Sequence, residues 1–259
     1  MRPGIIAAMA AEARILAKVP IKAGNLIYLP QGSIAFLSGM GANRALSAAR
    51  TLLENGATSL VSWGFASGLL PGISTGSLIL PERIVAPDQS VYHVEPVWHE
   101  RLCGRLETHV GLYRGTLAES VVVLADCAEK TAFFHRTGAM AVDMESASIA
   151  LAANEAGVPF MVIRAIMDEA EMAIPRSVLN SIDEFGRVNP LRLLSCLVRR
   201  PADFMSLVRL GRNFQAARAT LTMVVDQAGS NMLCPQDGKN AAHRQVMMTR
   251  QTAKRGKEK

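Results

Sequence analysis

The sequence predicts an α/β fold, a sandwich around a largely buried sheet, and three observations predict it. Apolar runs bounded by Gly, Pro or polar residues alternate with helical patterns through the first two thirds of the chain. That alternation argues for a sheet largely buried between helices. At 259 residues and 49% hydrophobic, the chain can bury one sizeable core, and no Pro/Gly/Ser linker interrupts residues 1–225, which favours one domain.

In order, "GIIAAM" (4–9) reads as a buried strand and "AEARILAKV" as a helix. "SIAFLSGMG" (33–41) reads as a strand, and "NRALSAARTLLENG" as a helix ended by Gly56. "SLVSWGFASGL" (59–69) is a strand running into a Gly-rich turn, and "GSLILPERIVA" (76–86) is another strand. "ESVVVLAD" (119–126) and "GAMAVDM" (138–144) are strand candidates, and "ESASIALAANEAG" (145–157) is a helix. "PFMVIRAIMDEA" (159–170) is a central strand with a polar end. After Pro190, "LRLLSCLVRRPADFMSLVRLGRNFQAARATL" suggests two helices broken at Pro201, with Phe204, Leu207, Val208 and Phe214 on one face of the second. From 226 to 259 the pattern dissolves into a basic segment, expected to be a disordered tail.

Charge is unevenly spread. Residues 1–189 carry a balance of −3, residues 190–225 have six Arg against one Asp, and residues 226–259 have seven basic against three acidic groups. The basic character therefore belongs to a C-terminal appendage on a mildly acidic body. No apolar run approaches the ~20 residues that span a bilayer. Glu12 interrupts the stretch that a signal peptide would continue, so a cytoplasmic location is expected. Cys103, Cys127, Cys196 and Cys234 form no CxxC pair, which argues against a zinc module or disulfide scaffold. His93, Glu95 and His99 have no familiar zinc-helix spacing, so no metal is expected. Gly64, Gly68 and Gly72 are spaced unlike a dinucleotide fingerprint. The basic tail lacks interleaved aromatics, which argues against nucleic acid as a partner.

Three acids fall at the carboxyl ends of strands, where open α/β sheets build their sites: Glu12, Glu145 and Asp168. Singly, each has an ordinary explanation. Glu12 and Glu145 suit first helical turns, and Asp168 with Glu171 could form a capping box. Together, "GIIAAMAAEARIL", "SWGFASGLLPGISTGSLILPE", "AVDMESASIA" and "PFMVIRAIMDEAE" resemble, in that order, the purine nucleoside phosphorylase and methylthioadenosine/S-adenosylhomocysteine nucleosidase superfamily.

The resemblance implies a three-layer α/β/α sandwich with a twisted, mostly parallel, mixed sheet, working as a homodimer on a nucleoside. It casts Asp168 as the acid at N7 of the leaving base, for which burial should raise its pKa. Glu145 would hold the ribose hydroxyls, with Met144 packed on the sugar and Asp143 in support. Glu12 would orient and deprotonate water, dividing base and acid roles with Asp168. The turn "GFASGLL" would bring Phe65, Ala66 and Ser67 to the substrate, although Phe65 and Ser67 stand where relatives carry small residues or Gly. Relatives also have Ser before the base-contacting Asp, where this chain has Met167. No cofactor is implied. Phosphate is the alternative nucleophile, as co-substrate, with Arg44 and Gly68 as its candidate binding residues.

The string from "NPLRLLSCLVRRP" through "LVRLGRNFQAARATL", with "AVDMESASIA" and "RAIMDEAEMAIP", resembles the hopanoid-associated phosphorylase branch. That implies removal of adenine from adenosylhopane to give a ribosylhopane. A peripheral membrane contact through residues 190–225 would suit such a substrate. The alternatives are a salvage nucleosidase for small 5′-thioadenosines or a purine nucleoside phosphorylase. A noncatalytic nucleoside-binding protein fits less well, since Glu12 and Asp168 are both present.

Overall fold

The computed structural model describes residues 1–17, 24–199 and 203–234. Its first half runs β1 (Pro3–Ala7), α1 (Ala10–Ala17), β2 (Leu26–Tyr28), β3 (Ile34–Leu37), α2 (Ala42–Glu54) and β4 (Ser59–Gly68). Then come β5 (Leu78–Ile79), β6 (Arg83–Val85), β7 (Val91–His93), α3 (Pro96–Leu106), β8 (Leu112–Tyr113), β9 (Thr116–Glu119) and α4 (Cys127–Thr137). The second half adds β10 (Ala141–Asp143), α5 (Ser146–Glu155), β11 (Phe160–Asp168), α6 (Arg176–Leu179), α7 (Pro190–Arg199) and α8 (Asp203–Ala228).

One mixed, mostly parallel sheet joins the strands in the order β2-β3-β1-β4-β10-β9-β6-β7, with β11 pairing β4 and β5. Helices α2 and α5 pack on each other and on β1 and β4, while α8 packs on β11, α1 and α3, giving three α/β/α layers. The two longest strands, β4 and β11, are buried along nearly their whole length, which explains their continuous apolar composition. Strand β4 is the hinge of the topology. It runs parallel to β1 and β11, and its last residues, Ser67 and Gly68, pair antiparallel with β10.

Several expectations need correction. The run at 76–86 is two strands, because Pro81 between them has no N–H to give a ladder. The valine run at 119–126 is not a strand. Only Glu119 belongs to β9, and Val121, Val122 and Val123 stand exposed in the loop before α4. The segment expected to begin a disordered tail is packed as far as residue 234. Helix α8 buries Leu210, Ala217, Leu221, Val224 and Ala228 along one stripe. Beyond it the Met232 carbonyl accepts from the indole of buried Trp98 (2.6 Å), and the Ser230 carbonyl accepts from Ser33 (2.7 Å). Residues 235–259 lie outside the described residues, as does the Pro201 break.

Candidate active site

Glu12 sits in the first turn of α1 and is almost wholly buried. Its Oε2 accepts the backbone N–H groups of Ala8 (3.0 Å) and Met9 (2.8 Å), and its Oε1 accepts that of Phe65 (2.8 Å). Three bonds leave a fourth acceptor direction on the carboxylate. Burial pushes its pKa up, opposed by the Arg164 guanidinium and those N–H groups. Gly64 is essential to this packing, since a Cβ there would lie 2.2 Å from Glu12 Oε1 and 2.5 Å from Arg164 Nη1.

Glu145 precedes the first turn of α5 but does not cap its own helix. It reaches instead to the Gly41 N–H at the start of α2 (2.8 Å) and lies 3.8 Å from Arg164 Nη2. Burial raises its pKa to about 7, with Arg164 opposing and Asp143 reinforcing the rise. Asp143 lines the cavity, yet its acceptors are engaged within the protein. Oδ1 takes the N–H groups of Glu145 (3.2 Å) and Ser146 (3.1 Å), and Oδ2 takes Arg164 Nε (2.8 Å) and the Ser146 hydroxyl. Its geometry is that of a strut for Arg164.

Asp168 ends β11 and forms no capping box; residues 169–172 make a turn. A one-residue bulge between Ile166 and Asp168 displaces Met167, so that Asp168 and not Met167 pairs with Ser67 of β4. The Ser67 hydroxyl then donates to Asp168 Oδ1 (2.9 Å), and Lys130 Nζ of α4 donates to Oδ2 (2.5 Å). The hydroxyl missing at position 167 is thus supplied from the neighbouring strand. Burial pushes the Asp168 pKa up, and Lys130 and then Ser67 oppose it.

Glu12, Glu145 and Asp168 all line one cavity of ≈ 380 Å³, as do Phe65, Ala66, Ser67, Asp143 and Met144. Its remaining wall is apolar and includes Val122, Ile174, Leu179, Val188, Leu207 and Phe214. Phe65 meets Phe214 of α8 edge to face at 5.4 Å. No Lys or Arg is among the described residues of the wall. Arg44 is exposed on α2 and Gly68 is in the β10 pairing, so neither candidate phosphate residue lies on the wall. His99 bonds the Leu80 carbonyl (2.9 Å) and Glu95 caps α3.

Sequence reasoning missed Arg164 and Lys130. An arginine inside the apolar run "FMVIRAIM" is itself a signal, because a buried charge needs partners. Lys130 had a weaker one. Asp126 and Glu129 form a capping box that opens α4 and Gly138 closes it, a helix the sequence reading did not assign, and those signals say nothing of the lysine's partner.

An α/β sandwich with buried carboxylates at the strand ends and an otherwise largely apolar wall is a small-molecule site. The chain belongs to the phosphorylase superfamily, whose family model matches residues 4–199. Among solved structures it is similar to a 5′-methylthioadenosine/S-adenosylhomocysteine nucleosidase of Neisseria meningitidis in complex with methylthio-immucillin-A. The two are 18% identical with a TM-score of 0.64, over 88% of this chain and 99% of that one. A putative nucleosidase of the same kind from Francisella philomiragia is 17% identical with a TM-score of 0.65, over 90% and 99%. A futalosine hydrolase mutant of Helicobacter pylori is 19% identical with a TM-score of 0.55, over 64% and 89%. At these identities the likeness establishes the shared fold.

Proposed function

We propose that the protein is a glycosidic-bond-cleaving enzyme that releases adenine from a 5′-substituted adenosine by attack of water at C1′, with adenosylhopane as its substrate. The observation that carries this reading is the make-up of one cavity wall: Glu12, Asp143, Glu145, Asp168 and Ser67 among side chains that are otherwise apolar. Asp168, whose pKa burial pushes up, is the acid that gives the leaving base its proton at N7. Glu145 accepts the ribose hydroxyls and stabilises the positive charge that develops on the sugar. Glu12 uses its remaining acceptor direction for the attacking water. The lack of a basic residue on the described wall favours water over phosphate, since the four acids on it would repel an anion.

The apolar wall supports a hydrocarbon 5′ substituent. Helix α7 adds to this: none of its residues is buried, Leu191, Leu194 and Val198 are exposed on one side, and Arg192 and Arg199 stand beside them. Such a helix suits an anionic bilayer surface, from which the homodimer would draw its substrate on the cytoplasmic side. A second reading, cleavage of small 5′-thioadenosines, is favoured by the nucleosidases of similar fold. The test is adenine release from adenosylhopane in detergent beside release from methylthioadenosine. Preference for the hopane supports the proposal, cleavage of methylthioadenosine alone selects the second reading, and release from neither rejects both.

A further inference from the structure

Lys130 is wholly buried on α4, and its ammonium has three acceptors for its three donors. These are Asp168 Oδ2 (2.5 Å), the Glu169 carbonyl (2.7 Å) and the Met172 carbonyl (2.8 Å). It does not line the cavity, whereas Ser67, which holds Oδ1 of the same carboxylate, does. The carboxylate is therefore held at Oδ2 by a residue off the cavity wall and at Oδ1 by one on it. The same ammonium ties down the turn that leaves β11 after the bulge, so the direction of Asp168 depends on it twice.

We propose that Lys130 is the positioning residue for the acid of this site: clamping Oδ2 and the 169–172 turn, it holds the Asp168 carboxyl with its Oδ1 edge toward the leaving base. The inference rests on the role given to Asp168 above. Lys130 touches no substrate and acts through Asp168.

The charged groups around Asp168 are few. Lys130 faces it from α4. The Glu169 carboxylate next to it turns away, to Thr75 before β5 and to Arg209 of α8. Glu12 of α1 and Glu145 before α5 share the cavity. Lys130 is the cation that opposes the burial-driven rise of the Asp168 pKa. Its removal therefore moves that pKa further up, and a rate that needs protonated Asp168 persists to higher pH while the misaimed carboxyl slows turnover.

The experiment compares Lys130→Met, Asp168→Asn and the double variant in adenine release from whichever of adenosylhopane and methylthioadenosine the wild type cleaves faster. Lys130→Met is expected to lower kcat by about tenfold or more with KM changed less than about threefold. The alkaline limb of its kcat profile moves up by about 1–3 pH units. In the Asp168→Asn background the lysine substitution changes kcat less than about twofold, as expected of residues acting as one unit.

A wild-type kcat in Lys130→Met, an unmoved alkaline limb, or the same fold-loss in both backgrounds would overturn the proposal. If the single variant does not fold because it buries an unpaired carboxylate, the charge-balanced double variant against Asp168→Asn still decides it. Loss of activity in Asp168→Asn alone, with Lys130→Met unaffected, sinks only this inference. Wild-type activity in Asp168→Asn removes the underlying reading of Asp168 as well.

Discussion

Gly64→Ala adds one methyl group and should disable the site. The new Cβ would lie 2.2 Å from Glu12 Oε1, so the carboxylate must retreat by about 1.2 Å to reach ordinary contact at 3.4 Å. It cannot retreat freely, because the N–H groups of Ala8, Met9 and Phe65 hold both oxygens and Arg164 Nη1 crowds the same Cβ at 2.5 Å. The backbone at 64, with φ of +155°, also lies where L side chains rarely sit. Overpacking of this kind costs about 1–3 kcal/mol. A displacement of about 1 Å in a catalytic group costs about 10²-fold in rate. Denaturant unfolding measures the first and adenine release the second. Gly104→Ala, at a helical position with open space around its Cβ, is the control and should gain up to about 1 kcal/mol. A Gly64→Ala enzyme that kept its rate within twofold would refute the role of Glu12 as the water-activating base.

Asp168→Asn should cost more than about 10²-fold in kcat with its far-ultraviolet circular dichroism unchanged, while its denaturant midpoint falls because buried Lys130 loses its carboxylate partner. Arg164→Met should destabilise the fold by about 3–5 kcal/mol in denaturant titration, because it strands buried Asp143 opposite Glu145 and Glu12; adding Asp143→Asn should recover part of the loss. Glu145, with its pKa raised from 4.5 to about 7, binds a proton in the folded state that the unfolded chain has released. Stability from this group is therefore greatest below about 4.5 and falls as pH rises to about 7. Glu145→Gln should accordingly be more stable than wild type at pH 8, with the difference shrinking by pH 5, in thermal melts across that range. Gln at Arg192, Arg199 and Arg212 should weaken flotation with vesicles containing anionic phosphatidylglycerol and leave cleavage of a soluble adenosine unchanged; equal flotation would remove the membrane contact from the account.

The long apolar strands and the acids at their ends were legible because both signals are local. Strands β4 and β11 are buried on both sides, so their composition is continuous, and Asp168 marks where the second leaves the core. What was hidden depends on partners distant in sequence. Nothing in "IMDEA" announces a bulge, yet the bulge is what sets Asp168 against Ser67, 101 residues away. Lys130 looks like any helical lysine until the fold places it against Asp168 and two carbonyls. The valine run misled because β propensity describes a pleated, half-buried surface. Val122 and Val123 serve the cavity wall from a loop instead. The packed end at 226–234 was misjudged from polar composition, although Met232 and Cys234 are buried against the body.

The most direct test of hydrolytic adenine release is a product analysis of adenosylhopane in detergent, with and without inorganic phosphate. Adenine and a free ribosylhopane, formed at the same rate under both conditions and lost in Asp168→Asn, are the predicted result. A ribosylhopane 1-phosphate formed only with phosphate, or adenine release that survives Asp168→Asn, would contradict it.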